Sequence, residues 1–181
     1  EIDRIISAVD RSKAEGQRNR AILETLYSCG LRVSELVNLK LSDLYFDEGF
    51  IKVEGKGSKQ RLVPISPRAI NEIKLYFTDR NRIEVKKEYE DFVFVSQRRG
   101  KGLSRIMIFH MIKELAQTAG IIKNISPHTF RHSFATHLLE GGANLRAIQC
   151  MLGHESIATT EIYTHIDRNM LRSEIIEHHP R

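Results

Sequence analysis

"SPHTFRHSFATHLLEGG", residues 126–142, reads as a helix with both ends marked. Ser126 suits the N-cap, Pro127 suits the first turn, and Gly141-Gly142 supplies a stop. At about 100° per residue, Phe130, Phe134, Ala135, Leu138 and Leu139 fall on one apolar arc. Arg131 points into the middle of that arc, and His128, one turn earlier, lies near its edge. A buried guanidinium is costly unless it is paired. Two explanations stand at this point: an arginine bonded to a carboxylate or to helix-end carbonyls, or a pocket that receives an anion.

Working outward, the neighbours alternate between helical and extended patterns. Residues 1–15 place Ile2, Ile5, Ile6 and Val9 at helical spacing, as a linker end or a first helix. "NRAILETLYSCG" puts Ile22, Leu23, Leu26 and Tyr27 on one face, with Gly30 as the cap, and "LRVSELVNLKLSDL" continues with Val33, Leu36 and Val37. "GFIKVEGKGSKQRLVPI" then alternates Ile51/Val53 and Leu62/Val63 around a glycine-rich turn, which is a hairpin pattern that Pro64 and Pro67 end. Helix is expected again over 67–82 (Ile70, Ile73, Leu75, Tyr76, Phe77), with a short extended piece in "DFVFVS", a basic loop in "RRGKG", and helix over 104–119 (Ile106, Phe109, Ile112, Leu115, Ala116). "NLRAIQCMLG" offers Leu145, Ile148 and Leu152 as a face capped by Gly153, and "SIATTEIYTHI" and "NMLRSEIIEHH" read as two further short helices. The sum is a mainly α-helical α+β domain over 1–181 with one small antiparallel sheet.

Composition narrows the function classes. The 181 residues carry a net charge of +5 and a pI near 9.3, which favours polyanionic partners. No stretch approaches the roughly 20 apolar residues of a membrane span, and the N-terminus lacks a signal-peptide pattern, so a cytoplasmic protein without a membrane partner is expected. Cys29 and Cys150, each among apolar residues, read as buried thiols of a reducing compartment. The eight histidines prompt a search for metal sites. H-E-x-x-H and C-x-x-C are absent, so neither metal nor cofactor is expected. "EGKGSKQR" is not a P-loop, because Gly57 stands where that motif needs Ser or Thr. It is either a solvated turn or a flexible finger that delivers Lys56 or Lys59 to a phosphate. Arg32 in "CGLRVSEL" sits at a helix start, where anions are favoured, with Glu35 one turn on to hold its guanidinium; an exposed ion pair is the alternative. Tyr163 is a core tyrosine or a nucleophile.

Taken together and in this order, "GLRVSEL", "GKGSKQRLVP", "SPHTFRHSFATHLL" and "MLGHESIATTEIYTHI" with its terminal tyrosine resemble the tyrosine recombinase (phage integrase) family. The resemblance runs from about residue 18 to the end. It is nearest to the bacterial Xer recombinases, and "EIIEHHPR" is more like the D subtype than the C subtype. It implies that Tyr163 is the nucleophile forming a 3′-phosphotyrosyl link, that Arg32, Arg131 and His154 bind the non-bridging oxygens, that Lys56 protonates the leaving 5′ oxygen, and that His128 accepts the tyrosine proton. Glu35 matches an accessory acidic position, and Lys59 and Arg61 are expected at the DNA. It further implies double-stranded DNA as substrate, a tetramer with a related recombinase subunit whose segment 167–181 is exchanged between neighbours through Ile175 and Ile176, a DNA translocase as regulator, and a role in chromosome dimer resolution. An N-terminal helical domain that closes around DNA has no counterpart in 1–181, so a catalytic domain of a longer protein with weak, salt-dependent DNA binding is expected. A phage or mobile-element integrase with the same chemistry, or a non-catalytic DNA-binding module, is the competing reading.

Overall fold

The computed structural model describes residues 1–153 and the backbone of 165–181, with side chains again from residue 169. Among the described residues the order is α1 (Ile2–Ser7), α2 (Gly16–Cys29), α3 (Val33–Val37), β1 (Leu44–Tyr45), β2 (Phe50–Glu54), β3 (Gln60–Pro64), α4 (Pro67–Arg80), α5 (Arg105–Thr118), α6 (Pro127–Glu140), α7 (Leu145–Leu152) and α8 (His165–His178). The mainly helical α+β expectation is met, and the sheet is three-stranded and antiparallel in the order β1-β2-β3.

Helix α2 organises the core. Its Ile22, Leu23 and Leu26 are fully buried, and it packs on α4 on one side and α6 on the other. The helix ends at Gly30 in the left-handed conformation, φ +64°. A Cβ there would lie 2.4 Å from the Phe134 ring of α6, so glycine is required both by the turn and by the close approach of α6. Local caps set the other starts. Ser66 Oγ accepts from the Ala69 N–H, Ser104 Oγ from the Met107 N–H, and Asn144 Oδ1 from the Arg146 and Ala147 N–H groups.

The hairpin forms as patterned, with Ile51 opposite Val63 and the last pair at Glu54 and Gln60. Its tip is a turn of 3₁₀ type over Lys56–Ser58 in which Gly57 has φ +72°. Helix α3, on which Val33, Leu36 and Val37 were expected at helical spacing, stops at Val37. Beyond it the Leu41 N–H donates to the Asp91 carbonyl and the Val93 N–H to the Leu39 carbonyl. Long-range pairing with "DFVFVS" thus takes these backbone groups away from a helix, and Val93, Phe94 and Val95 are all buried.

Apolar arcs drawn from periodicity come out too wide. Leu139, Leu145, Leu75, Ile106 and Phe109 are exposed, while Phe130, Phe134, Leu138, Ile148 and Ile112 fill the core. Helical spacing says which residues share a direction, not whether a neighbouring element covers all of that arc.

Helix α8 lies on α6, α7 and β3 of its own chain. Leu171 and Ile175 are buried, but Ile176, expected to be an anchor beside Ile175, is 64% exposed.

Candidate nucleic-acid site

Arg131, on α6, is 8% exposed, as its place in the apolar arc requires. Its Nη1 donates to the Gly30 carbonyl at 2.7 Å and its Nη2 to the Leu152 carbonyl at 2.8 Å. These are the carbonyl ends of α2 and α7, where the helix dipole and unpaired C=O groups favour a cation. Of the explanations open from the sequence, the helix-end carbonyls are therefore present. They engage two of the five guanidinium N–H groups and fix its plane. Burial, then the nearby Arg32 charge and that of Arg61, push its pKa down to about 10 against the opposing pull of Glu35. It remains a cation at neutral pH.

Arg32 is the N-cap residue of α3, and its side chain is 41% exposed. Glu35 was expected to hold the Arg32 guanidinium, but the geometry differs. Glu35 Oε1 accepts from the Arg32 backbone N–H at 2.9 Å, whereas the two side chains approach only to 3.8 Å. The true partner of Glu35 is Arg61. Arg61 Nη1 donates to Glu35 Oε2 at 2.6 Å, Nη2 donates to Oε1 at 3.0 Å, and Nε donates to the Met151 carbonyl at 2.8 Å. Burial alone would raise the Glu35 pKa, but the Arg61 hydrogen bonds and charge, with the Arg32 N–H, hold it below the ordinary carboxylate value. Arg61, expected at the DNA, is 7% exposed and paired with Glu35. Its β3 position points it inward with Val63 while Leu62 is only half buried. Strand alternation from Val63 was the signal available in the sequence.

An open cavity of about 880 Å³ lies in front of this pair. Arg32, Glu35 and Lys56 all line it, so an N-cap arginine and the hairpin-tip lysine, 24 residues apart in sequence, open on one space. Lys40 and Lys52 line it too, with Lys52 Nζ 3.7 Å from Asp43, and add positive charge that no sequence motif had singled out. Their signal is visible only once β2 brings its outward face beside the turn at Leu41–Asp43. Lys59 is exposed beside Lys56 at the hairpin tip, and His128 is exposed in the first turn of α6. His128 and Arg131, three residues apart, do not share an environment, since one meets solvent and the other the core. His154 and Tyr163 lie outside the described residues. The end of α7, two residues before His154, is held by both buried arginines, through the Met151 and Leu152 carbonyls.

Residues 1–170 match the phage integrase family. The chain belongs to that family. It is 45% identical to tyrosine recombinase XerD of Pseudomonas putida over 181 residues, which cover 100% of this chain and 60% of that protein. The fold matches a crystal structure of XerA recombinase with a TM-score of 0.76 and 37% identity, over 99% of this chain and 63% of that one. It also matches XerH site-specific recombinase bound to its difH substrate in a pre-cleavage complex, with a TM-score of 0.74 and 30% identity over 91% of this chain and 48% of that one. The chain spans about three fifths of the length of the curated XerD proteins it matches. Resemblance to Xer recombinases, read from separated motifs along the chain, agrees with these relatives of the phage integrase family. Among the described residues no helix is long and apolar enough to cross a membrane.

Proposed function

We propose that this chain is the catalytic domain of a site-specific DNA recombinase that cuts and rejoins double-stranded DNA through a 3′-phosphotyrosine. The observation that carries this reading is the convergence of Arg32 and Lys56 on one cavity whose wall, Glu35, is gripped by Arg61, with Arg131 buried close by. A phosphodiester under attack gains charge on its non-bridging oxygens, and fixed donors in a water-poor site stabilise that charge. Arg32 and Arg131 take this role because a guanidinium is planar and permanently charged, and His154 adds a further donor. The Tyr163 Oη attacks phosphorus while the bond from phosphorus to the 5′ oxygen breaks. Lys56 gives a proton to the departing oxygen, and His128 takes the proton of the tyrosine, whose ordinary pKa near 10 demands a base or a strongly positive site. The phosphotyrosine conserves the bond energy until a 5′-hydroxyl attacks it, so rejoining needs no high-energy cofactor.

The similarity to XerD proteins favours a role in chromosome dimer resolution over integration of a mobile element. In that setting the enzyme acts in the cytoplasm, as a tetramer with a related recombinase subunit under a DNA translocase, and residues 167–181 pass between neighbouring subunits.

The test uses a nicked suicide substrate from which the cleaved end diffuses away. In EDTA, the protein is expected to form a denaturant-resistant adduct with DNA and Tyr163→Phe to form none. An adduct that persists in Tyr163→Phe, or that EDTA abolishes, overturns the reading.

A further inference from the structure

Arg61 makes three side-chain hydrogen bonds beside the cavity, yet it does not line it. We infer that Arg61 is a positioning residue, one that registers the three segments carrying the candidate phosphate-binding and proton-transfer groups. The inference rests on the recombinase reading for the identity of those groups, and on geometry alone for the registration.

Each bond of Arg61 reaches a different part of the chain. The paired bonds at 2.6 and 3.0 Å reach Glu35 on α3. The same Glu35 oxygen that meets Nη2 also accepts the Arg32 N–H, so Arg61 fixes the N-cap from which the Arg32 side chain leaves. The Nε bond at 2.8 Å reaches the Met151 carbonyl in the last turn of α7, just ahead of Gly153 and His154. Arg61 itself is on β3, paired with Val53 of β2, one pair back from the end of the hairpin whose tip is Lys56. One rigid fork therefore ties the hairpin, the α3 start and the α7 end to a common origin.

The surrounding chain is shaped for this fork. A Cβ on Gly55 would stand 3.2 Å from Glu35 Oε2 and 3.3 Å from Arg61 Nη1, and one on Gly153 would stand 3.1 Å from the same nitrogen. Both glycines let backbone pass close over the ion pair from opposite sides, one from the hairpin and one from the α7 end. Gly153 is also left-handed, φ +75°, so the backbone that ends α7 passes close to Arg61. Lysine cannot replace the guanidinium, because an ammonium has no planar fork to span a carboxylate and a carbonyl together.

The decisive variant is Arg61→Lys, which leaves a cation beside the buried Glu35 and so preserves the fold; Glu35→Gln supplies a second, uncharged break of the fork. In the suicide-substrate assay at saturating DNA, Arg61→Lys is expected to lower the cleavage rate about 100-fold, the scale of a 1 Å misplacement. DNA affinity should change less than about twofold, with the slope of log K on log salt unchanged. A phosphate-contacting arginine behaves in the opposite way: lysine largely restores it, and Arg61→Gln weakens binding and lowers the slope by about one. That pattern would overturn the inference. A second readout does not depend on catalysis. Amide hydrogen exchange at Arg32 should accelerate at least tenfold in Glu35→Gln and in Arg61→Lys while core amides of α2 keep their protection; unchanged exchange at Arg32 would also overturn it. If the wild type forms no adduct, the recombinase reading falls, and the exchange and affinity measurements still decide the role of Arg61.

Discussion

Two arginines in this domain grip buried glutamates, and the two pairs differ in what they hold. Arg61 and Glu35 sit under the candidate site, with side chains 7% and 1% exposed. Arg181 and Glu24 meet at the middle of α2, 12% and 1% exposed, where Arg181 Nη2 donates to Glu24 Oε1 at 2.6 Å and Nη1 meets Asp3 of α1. The chemistry is the same, a guanidinium fork over a carboxylate that α2 or α3 buries. The setting is not. Arg61 is clamped on both sides by sheet and chain. Arg181 follows α8 by three residues and is reached through His179, whose ring lies between Tyr27 and Phe134. The first pair has no way to open without breaking the sheet. The second is made by the segment that follows α8, outside the sheet.

That contrast can be broken in order of expected effect. Glu35→Ala leaves the Arg61 cation buried without its carboxylate and should cost about 3–5 kcal/mol in a urea titration; a loss under about 1 kcal/mol would show the site to be wet or adaptable. Arg181→Ala removes the partner of Glu24, but Arg181 is partly exposed, so water can reach the carboxylate in its place. About 1–3 kcal/mol is expected there, and a loss equal to that of Glu35→Ala would erase the distinction.

A third effect is confined to acid. His179 donates from Nε2 to the Tyr27 carbonyl at 3.1 Å and accepts the Arg181 N–H on Nδ1 at 3.1 Å, which is the neutral ring. Burial above all, with the nearby His137 and Arg181, lowers its pKa to about 4 from 6.5, against the pull of the Tyr27 carbonyl. A depressed histidine binds its proton more readily unfolded than folded. Its contribution is therefore whole above about pH 6.5 and is lost as pH falls toward about 4. The Tm of the wild type should drop across that window more steeply than the Tm of His179→Asn, and parallel profiles would refute the assignment. Smallest of all, Ile176→Ser should shift stability by no more than about 0.5 kcal/mol, because the side chain is exposed in the chain by itself. If the tail is exchanged in an assembly, the same change should weaken tetramer formation on DNA while leaving the isolated domain intact.

Local rules made much of the fold legible. Gly30 as a cap, the helices expected over 67–82 and 104–119 and the 50–64 hairpin each depend on a few adjacent residues, so the sequence shows them directly. The site was legible as a set of motifs, and Arg131 was conspicuous because a charge stood in an apolar arc. Arg61 was not, because strand alternation shows that it faces the core but not that Glu35, 26 positions earlier, waits there. The five exposed apolar residues on four helices show the same limit from the other side.

The sequence by itself determined the helices and their caps, the hairpin, the net positive charge and the family of the chain. Those properties are written in short spacings and in residue type. Only the tertiary structure decided that Arg131 spans two helix ends, that Glu35 belongs to Arg61 rather than to the Arg32 side chain, and that Ile176 faces outward while Ile175 is buried. Each of these is a choice among partners distant in sequence, and burial settles it, because a desolvated charge must take whichever counterpart the packed chain brings within hydrogen-bond reach.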